Sequence, residues 1–120
     1  MESTDSFIDI LVQSVLSGVL NQSNVKAFAE TLTEEQRFEV AICVPIILDF
    51  FEEEVIRISA RANEIHSLGF DNWTPAHLDE LRFYSDALVK IDTATDTVTD
   101  LSLVVVQLLE DEEFKFNPIN

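Results

Sequence analysis

From Ala41 to Ile65 apolar residues recur without a gap at alternating three- and four-residue intervals: Ala41, Val44, Leu48, Phe51, Val55, Ile58, Ala62 and Ile65. That is the heptad seam of a helix packed along its length against another helix. A second run, Leu81, Tyr84, Leu88, Ile91, Thr95, Val98, Ser102, Val105 and Leu109, repeats it. Only two glycines and three prolines punctuate the chain, and no segment alternates apolar and polar residues over strand length. The sequence therefore predicts an all-α fold.

The helix ends follow from capping chemistry. A first helix is expected from Thr4 or Asp5, with Phe7, Ile8, Leu11, Val12, Val15, Leu16, Val19 and Leu20 on one face, ended by Asn21 to Ser23. A short helix from Asn24 to Leu32 follows, turning Val25, Phe28 and Leu32 inward. Thr33 with Gln36 has the capping-box spacing and opens a long helix that Gly69 stops, with Pro45 kinking it on the way. Phe70 to Trp73 make the turn, and Thr74 and Pro75 read as N-cap and first residue of the last helix. That helix runs toward Glu113, with a break expected over Thr93 to Asp100, where Thr93, Thr95, Thr97 and Thr99 are poor helix formers. The tail from Phe114 to Asn120 is expected to be extended before Pro118.

The expectation is thus a single helical domain over 1–120, with short N-terminal helices in 1–32, a long antiparallel hairpin in 33–113 and a tail in 114–120. The hairpin helices, at about 35 residues each, span about 50 Å, while the first helix reaches about 25 Å. It shields one half of the hairpin. The distal half, with Val55, Ile58, Ala62, Ile65, Leu78, Leu81 and Leu88, is left to two helices, so completion as a bundle by a homodimer or another partner is expected. Trp73 and Phe70 either cap the hydrophobic end of that hairpin or anchor a partner.

Charge narrows the functions. The chain carries 23 Asp and Glu against 7 Lys and Arg, a formal net charge of −16, although 47% of its residues are hydrophobic. Apolar content of that order argues for folding rather than for a disordered acidic tail. The acidity argues against direct binding of nucleic acid or of an anionic membrane. The longest uncharged stretch, Ile10 to Val25, is interrupted by polar residues and too short to span a bilayer. Met1 to Asp5 carries acids where a secretory signal has bases, and Cys43 is the only cysteine, so a cytoplasmic setting is expected.

Catalytic motifs are wanting. Two glycines cannot build a phosphate-cradling loop. Glu34, Glu35 and Glu39 miss by one residue the Glu-Glu-x-x-Glu of all-α nucleotide pyrophosphohydrolases, and Glu64 and His66 miss the Glu-x-x-His of di-iron bundles. His66 and His77 bracket the turn with Asp71 or Asp79 nearby as a candidate metal site, but His66 suits a last helical turn, where the dipole favours a cation, and His77 a first turn beside acids, so no metal is expected. Cys43 reads as a small buried hydrophobe. No cofactor and no enzymatic activity are expected.

The bases have acids one helical turn away: Glu53 with Arg57, Arg61 with Glu64, Asp79 with Arg82, Asp86 with Lys90. The unpaired acids then form two clusters, Glu52, Glu53 and Glu54 in one, and Asp92, Asp96, Asp100, Glu110, Asp111, Glu112 and Glu113 in the other. Carboxylates four residues apart lie about 6 Å apart along a helix, a spacing like that of phosphates along a nucleic-acid strand. The sequence therefore predicts a non-enzymatic acidic interaction protein that binds a positively charged protein surface, in its most specific form an inhibitor that mimics nucleic acid toward a nucleic-acid-binding protein. Small size and this charge suit a viral or mobile-element protein. The competing expectation is a homo-oligomeric structural or assembly protein, scaffold- or chaperone-like, whose acidity serves solubility. In that case Val55, Ile58, Ile65, Leu81, Leu88 and Trp73 carry the packing.

Overall fold

A computed structural model describes the backbone of residues 2–116 and the side chains of residues 7–111. Four helices, α1 (Glu2–Ser17), α2 (Val25–Thr31), α3 (Glu34–Ser67) and α4 (Pro75–Phe116), are joined by short turns, with a 3-10 turn at Phe70–Asn72. The fold is all-α. α3 and α4 form the long hairpin and pack along each other, so the molecule is a rod of 73 × 30 × 23 Å.

The expected caps of α3 and α4 are in place. Thr33 Oγ1 accepts from the Gln36 N–H at 3.1 Å, and Gln36 Oε1 accepts from the Thr33 N–H at 2.9 Å. Gly69 takes φ +88°, which L side chains rarely adopt, and α3 stops there. At the start of α4, Thr74 Oγ1 accepts from the His77 N–H at 3.3 Å, while His77 Nδ1 accepts from the Thr74 N–H at 3.1 Å. His77 thus fills the place that Glu or Gln takes in a capping box.

Four features differ from expectation. α1 starts at Glu2, so Thr4 and Asp5 lie within its first turn rather than before it. α1 ends at Ser17, not near Leu20, because Gly18 turns the chain at φ +83° and the Leu20 N–H reaches back to the Ser14 carbonyl at 3.0 Å. The expected break over Thr93 to Asp100 is absent, and α4 is continuous. There the hydroxyls of Thr95, Thr97 and Thr99 donate to the carbonyls of Ile91, Thr93 and Thr95 at 2.8, 3.0 and 2.8 Å. Ala94, Thr97, Val98 and Leu101 are buried in the same stretch, so packing outweighs the weak helix propensity of threonine. Finally, residues 114–116 are helical rather than extended. Pro118 restricts only its immediate neighbour, and N–H groups up to residue 116 can still reach carbonyls four residues back. The rest of the expected tail, 117–120, lies outside the described residues.

Both heptad seams face the core, with buried residues at seven-residue intervals: Val44, Phe51, Ile58 and Ile65 on α3, and Ile91, Val98 and Val105 on α4, where Tyr84 one heptad earlier is half-buried. At the open end of the hairpin the buried band widens to include Val40, Cys43 and Ile47, because α1 and α2 cover it with Leu11, Val15, Leu20, Val25 and Ala29. In the distal half it narrows. No α4 residue before Ile91 is buried, and Val55, Leu81 and Leu88 are half-buried. Two helices nevertheless bury Ile65 within the single chain, at 0% exposure, while Ile58, at 3%, lies where Leu16 at the end of α1 still reaches the hairpin. Trp73 helps at Ile65, because its Nε1 donates to the Ile65 carbonyl at 2.8 Å and its ring packs against Phe70 and His66.

Candidate functional site

The groove between α3 and α4 begins at two carboxylates one turn apart on α3, Asp49 and Glu52, both exposed. Below them Leu48, Phe51 and Val55 form an apolar floor, and Thr95 and Thr99 of α4 form the facing wall, enclosing about 310 Å³. The threonine hydroxyls give their protons to backbone carbonyls of their own helix. The groove therefore offers carboxylates, hydroxyl lone pairs and apolar surface, and no Lys or Arg lines it. Asp92 and Asp96 are exposed on α4 within one turn of Thr95. Glu52 of the first acidic cluster thus lines the groove, while Asp92 and Asp96 of the second stand outside its lining, on the α4 segment that supplies Thr95. Chemically the groove suits a Lys or Arg side chain, whose aliphatic stem lies on the floor while its charged head meets the carboxylates.

The other expected acids are placed differently. Glu54 leaves its cluster, because Arg57 forks onto both of its oxygens at 3.2 and 2.9 Å and holds its carboxyl below the usual carboxylate range. Arg57 thus pairs with Glu54 rather than with Glu53, which is exposed. Asp100 is half-buried and accepts from Gln22 Nε2 at 2.8 Å, tying the α1–α2 turn to α4. Four-residue steps advance about 40° beyond a full turn, which carries the Asp92, Asp96, Asp100 row around α4 to that turn. Glu110 and Asp111 are exposed, and Gln107 Nε2 donates to Asp111 at 3.3 Å. The side chains of Glu112 and Glu113 lie outside the described residues.

A wider cleft of about 490 Å³ lies where α1 ends against the hairpin, with Leu16, Ile58, Tyr84 and Ala87 among its walls. Its charges are balanced, Glu54 with Arg57 and Asp86 beside Lys90, so it does not select by charge as the groove does.

Arg61 joins the two long helices. Its guanidinium forks onto Glu80 at 2.7 and 3.2 Å and also reaches Glu64 at 3.3 Å, while the Tyr84 hydroxyl donates to Glu80 at 2.6 Å. Arg61 first, then Tyr84, hold the Glu80 carboxyl down at about 2. The ordinary value is 4.5, so on acidification the unfolded chain takes up this proton first. The stability contributed by Glu80 is complete above about pH 4.5 and lost as pH falls through about 2. Glu80→Gln lowers the urea midpoint at pH 7 and flattens the loss of stability across that window. Midpoints matching the wild type at every pH would show that the network contributes nothing.

Neither histidine is gathered with other ligands. His66 lies edge-on to Trp73 at 5.2 Å between ring centres, and His77 closes the cap of α4. Among the described residues no three His, Cys, Asp or Glu side chains come together as a metal site requires. Burial, then Glu39, push the Cys43 thiol up, which keeps it protonated. Among the described residues no helix is long and apolar enough to cross a membrane.

Sequence reasoning missed Asp49 as a groove residue and Glu80 as the partner of Arg61. It also missed an outward row on α3, Phe38, Ile42, Ile46 and Phe50, at 53%, 65%, 53% and 47% exposure. Four apolar residues at strict four-residue spacing were the available signal for that row. Compared with known proteins, the chain matches no family model, no curated protein and no solved structure.

Proposed function

We propose that this is a non-enzymatic binding protein whose α3–α4 groove receives basic side chains from the surface of a partner protein. The reading rests on one observation, an apolar floor rimmed by Asp49 and Glu52 with no cation among its lining residues. Such a site attracts Lys and Arg through both stem and head, and the chain's −16 charge speeds the encounter. Asp92 and Asp96 extend the negative field along α4. With Asp100 engaged by Gln22, the freely exposed aspartate row is short for a nucleic-acid mimic, so a basic protein surface is favoured over a dedicated nucleic-acid site.

A labelled nona-arginine peptide tests the proposal by anisotropy. Its affinity is expected to fall about tenfold or more between about 50 and 300 mM salt. The reversals Asp49→Lys with Glu52→Lys weaken it about as strongly. Binding that is indifferent to both salt and reversal overturns the reading.

Self-association is the second reading. Leu78 and Phe83, at 45% and 68% exposure, leave apolar surface on the distal half of α4. Sedimentation showing a monomer at millimolar concentration removes it.

A further inference from the structure

A row of four exposed apolar residues starts on the outward side of α3. Phe38 and Ile42 lie opposite the buried Val40, Val44, Ile47 and Phe51, and the row winds around the helix through Ile46 to Phe50, whose ring meets that of Phe51 at 6.0 Å between centres. Four-residue spacing makes them a single ridge about 18 Å long, inclined to the helix axis. Acids border it throughout. Glu35 and Glu53 stand three residues beyond its ends, and Glu39 and Asp49 stand beside it. Arg37 is the only base between residues 34 and 56, and it is buried, bonded to the carbonyls of Ala29 and Glu30.

Two arguments decide what covers such a ridge. The first is area: four half-exposed side chains of this size offer about 400 Å², whereas a stable pairing of two globular copies buries about 800 Å² on each. The ridge has the footprint of one helix. The second is charge, since a second copy packed ridge to ridge would bring Glu35, Glu39, Asp49 and Glu53 against the same four acids.

From these we infer that α3 docks one amphipathic, basic helix of a partner protein, with apolar residues at every fourth position and Lys or Arg on both flanks. Ridges of four-residue spacing interdigitate at about −50°, so the partner helix crosses α3 obliquely. Asp49 belongs to both the ridge border and the groove, so one partner can occupy both. The inference rests on the reading that the partner is basic, and adds the element it presents and where it binds.

The probe is a synthetic helical peptide of about 18 residues, with Leu at every fourth position and Lys beside each Leu. A scrambled peptide of equal composition and a peptide with Glu for Lys serve as controls. The Leu/Lys peptide is expected to bind, with amide shifts concentrated between Phe38 and Phe50, and both controls to bind at least about tenfold more weakly. Ile42→Ser with Ile46→Ser, exposed positions where circular dichroism verifies folding, is expected to weaken the Leu/Lys peptide about tenfold. The same variant leaves nona-arginine binding unchanged.

Unchanged Leu/Lys affinity in that variant, or shifts confined to the α3–α4 groove, overturns the helix-docking inference and leaves the basic-surface reading standing. Loss of binding by both peptides to the wild type overturns both. A wild-type dimer that Ile42→Ser with Ile46→Ser converts to monomer assigns the ridge to a second copy and likewise overturns the inference.

Discussion

Phe51→Ala is expected to lower the unfolding free energy by about 3–5 kcal/mol, whereas Phe50→Ala, one residue away, costs less than about 1 kcal/mol. The contrast follows from the face of α3 that each ring occupies. Phe51 is 2% exposed, lies on the heptad seam and forms part of the groove floor. Truncation there removes most of a ring from water-free surroundings and leaves a void that α4 cannot fill without shifting along its whole length. Phe50 is 47% exposed on the ridge, and its loss removes a ring contact with Phe51, at 6.0 Å between centres, without opening a cavity inside the core. Urea unfolding followed by circular dichroism measures both, the difference being read from the midpoint at unchanged slope. Equal effects of the two substitutions would mean that the register of α3 against α4 is wrong.

Arg37→Ala comes next, at about 2–3 kcal/mol. Arg37 is 8% exposed, and its guanidinium donates to the carbonyls of Ala29 at 3.2 Å and Glu30 at 3.3 Å. Those carbonyls belong to the end of α2, a seven-residue helix too short to hold itself in water. Asn24 gives α2 no side-chain cap, because its amide is already spent on the Asn21 N–H and the Val19 carbonyl. Removing the guanidinium therefore strips α2 of a clamp at two carbonyls, of which that of Ala29 keeps only the Leu32 N–H at 3.2 Å. Arg37→Met keeps the apolar stem and loses the donors, so it isolates the hydrogen-bonding share. Hydrogen exchange across Val25–Thr31 is expected to speed up in both variants, and protection matching the wild type would refute the clamp.

Legibility in the sequence followed the range of the interaction. The Thr33–Gln36 box, the glycine stop at Gly69 and the Thr74–Pro75 start are decided within four residues, and each stands where the sequence placed it. The heptad seams were equally legible, since a seven-residue apolar repeat has few ways to be buried other than along a partner helix. Threonine misled, because propensity acts on an isolated helix, while Thr97 is 1% exposed and held by packing. Charge pairing was legible only in part, since Arg61 does reach the expected Glu64. Arg57 had Glu53 and Glu54 within one turn and its rotamer chose Glu54, and Arg61 found Glu80 across the hairpin.

What the sequence determined by itself was therefore the class of fold, the long hairpin and its caps, and the exclusion of phosphate-cradling loops, all of which follow from local spacing and composition. What only the tertiary structure decided was register. It sets Asp49 and Glu52 against Thr95 and Thr99, leaves Phe38, Ile42, Ile46 and Phe50 outside, and separates paired acids from free ones. The physical reason is that a heptad repeat specifies that two helices meet, but sliding one by a full repeat keeps the apolar seam intact. Which polar groups face each other is then selected by the length of the turn at Gly69 to Trp73 and by the packing of α1 and α2 at the open end.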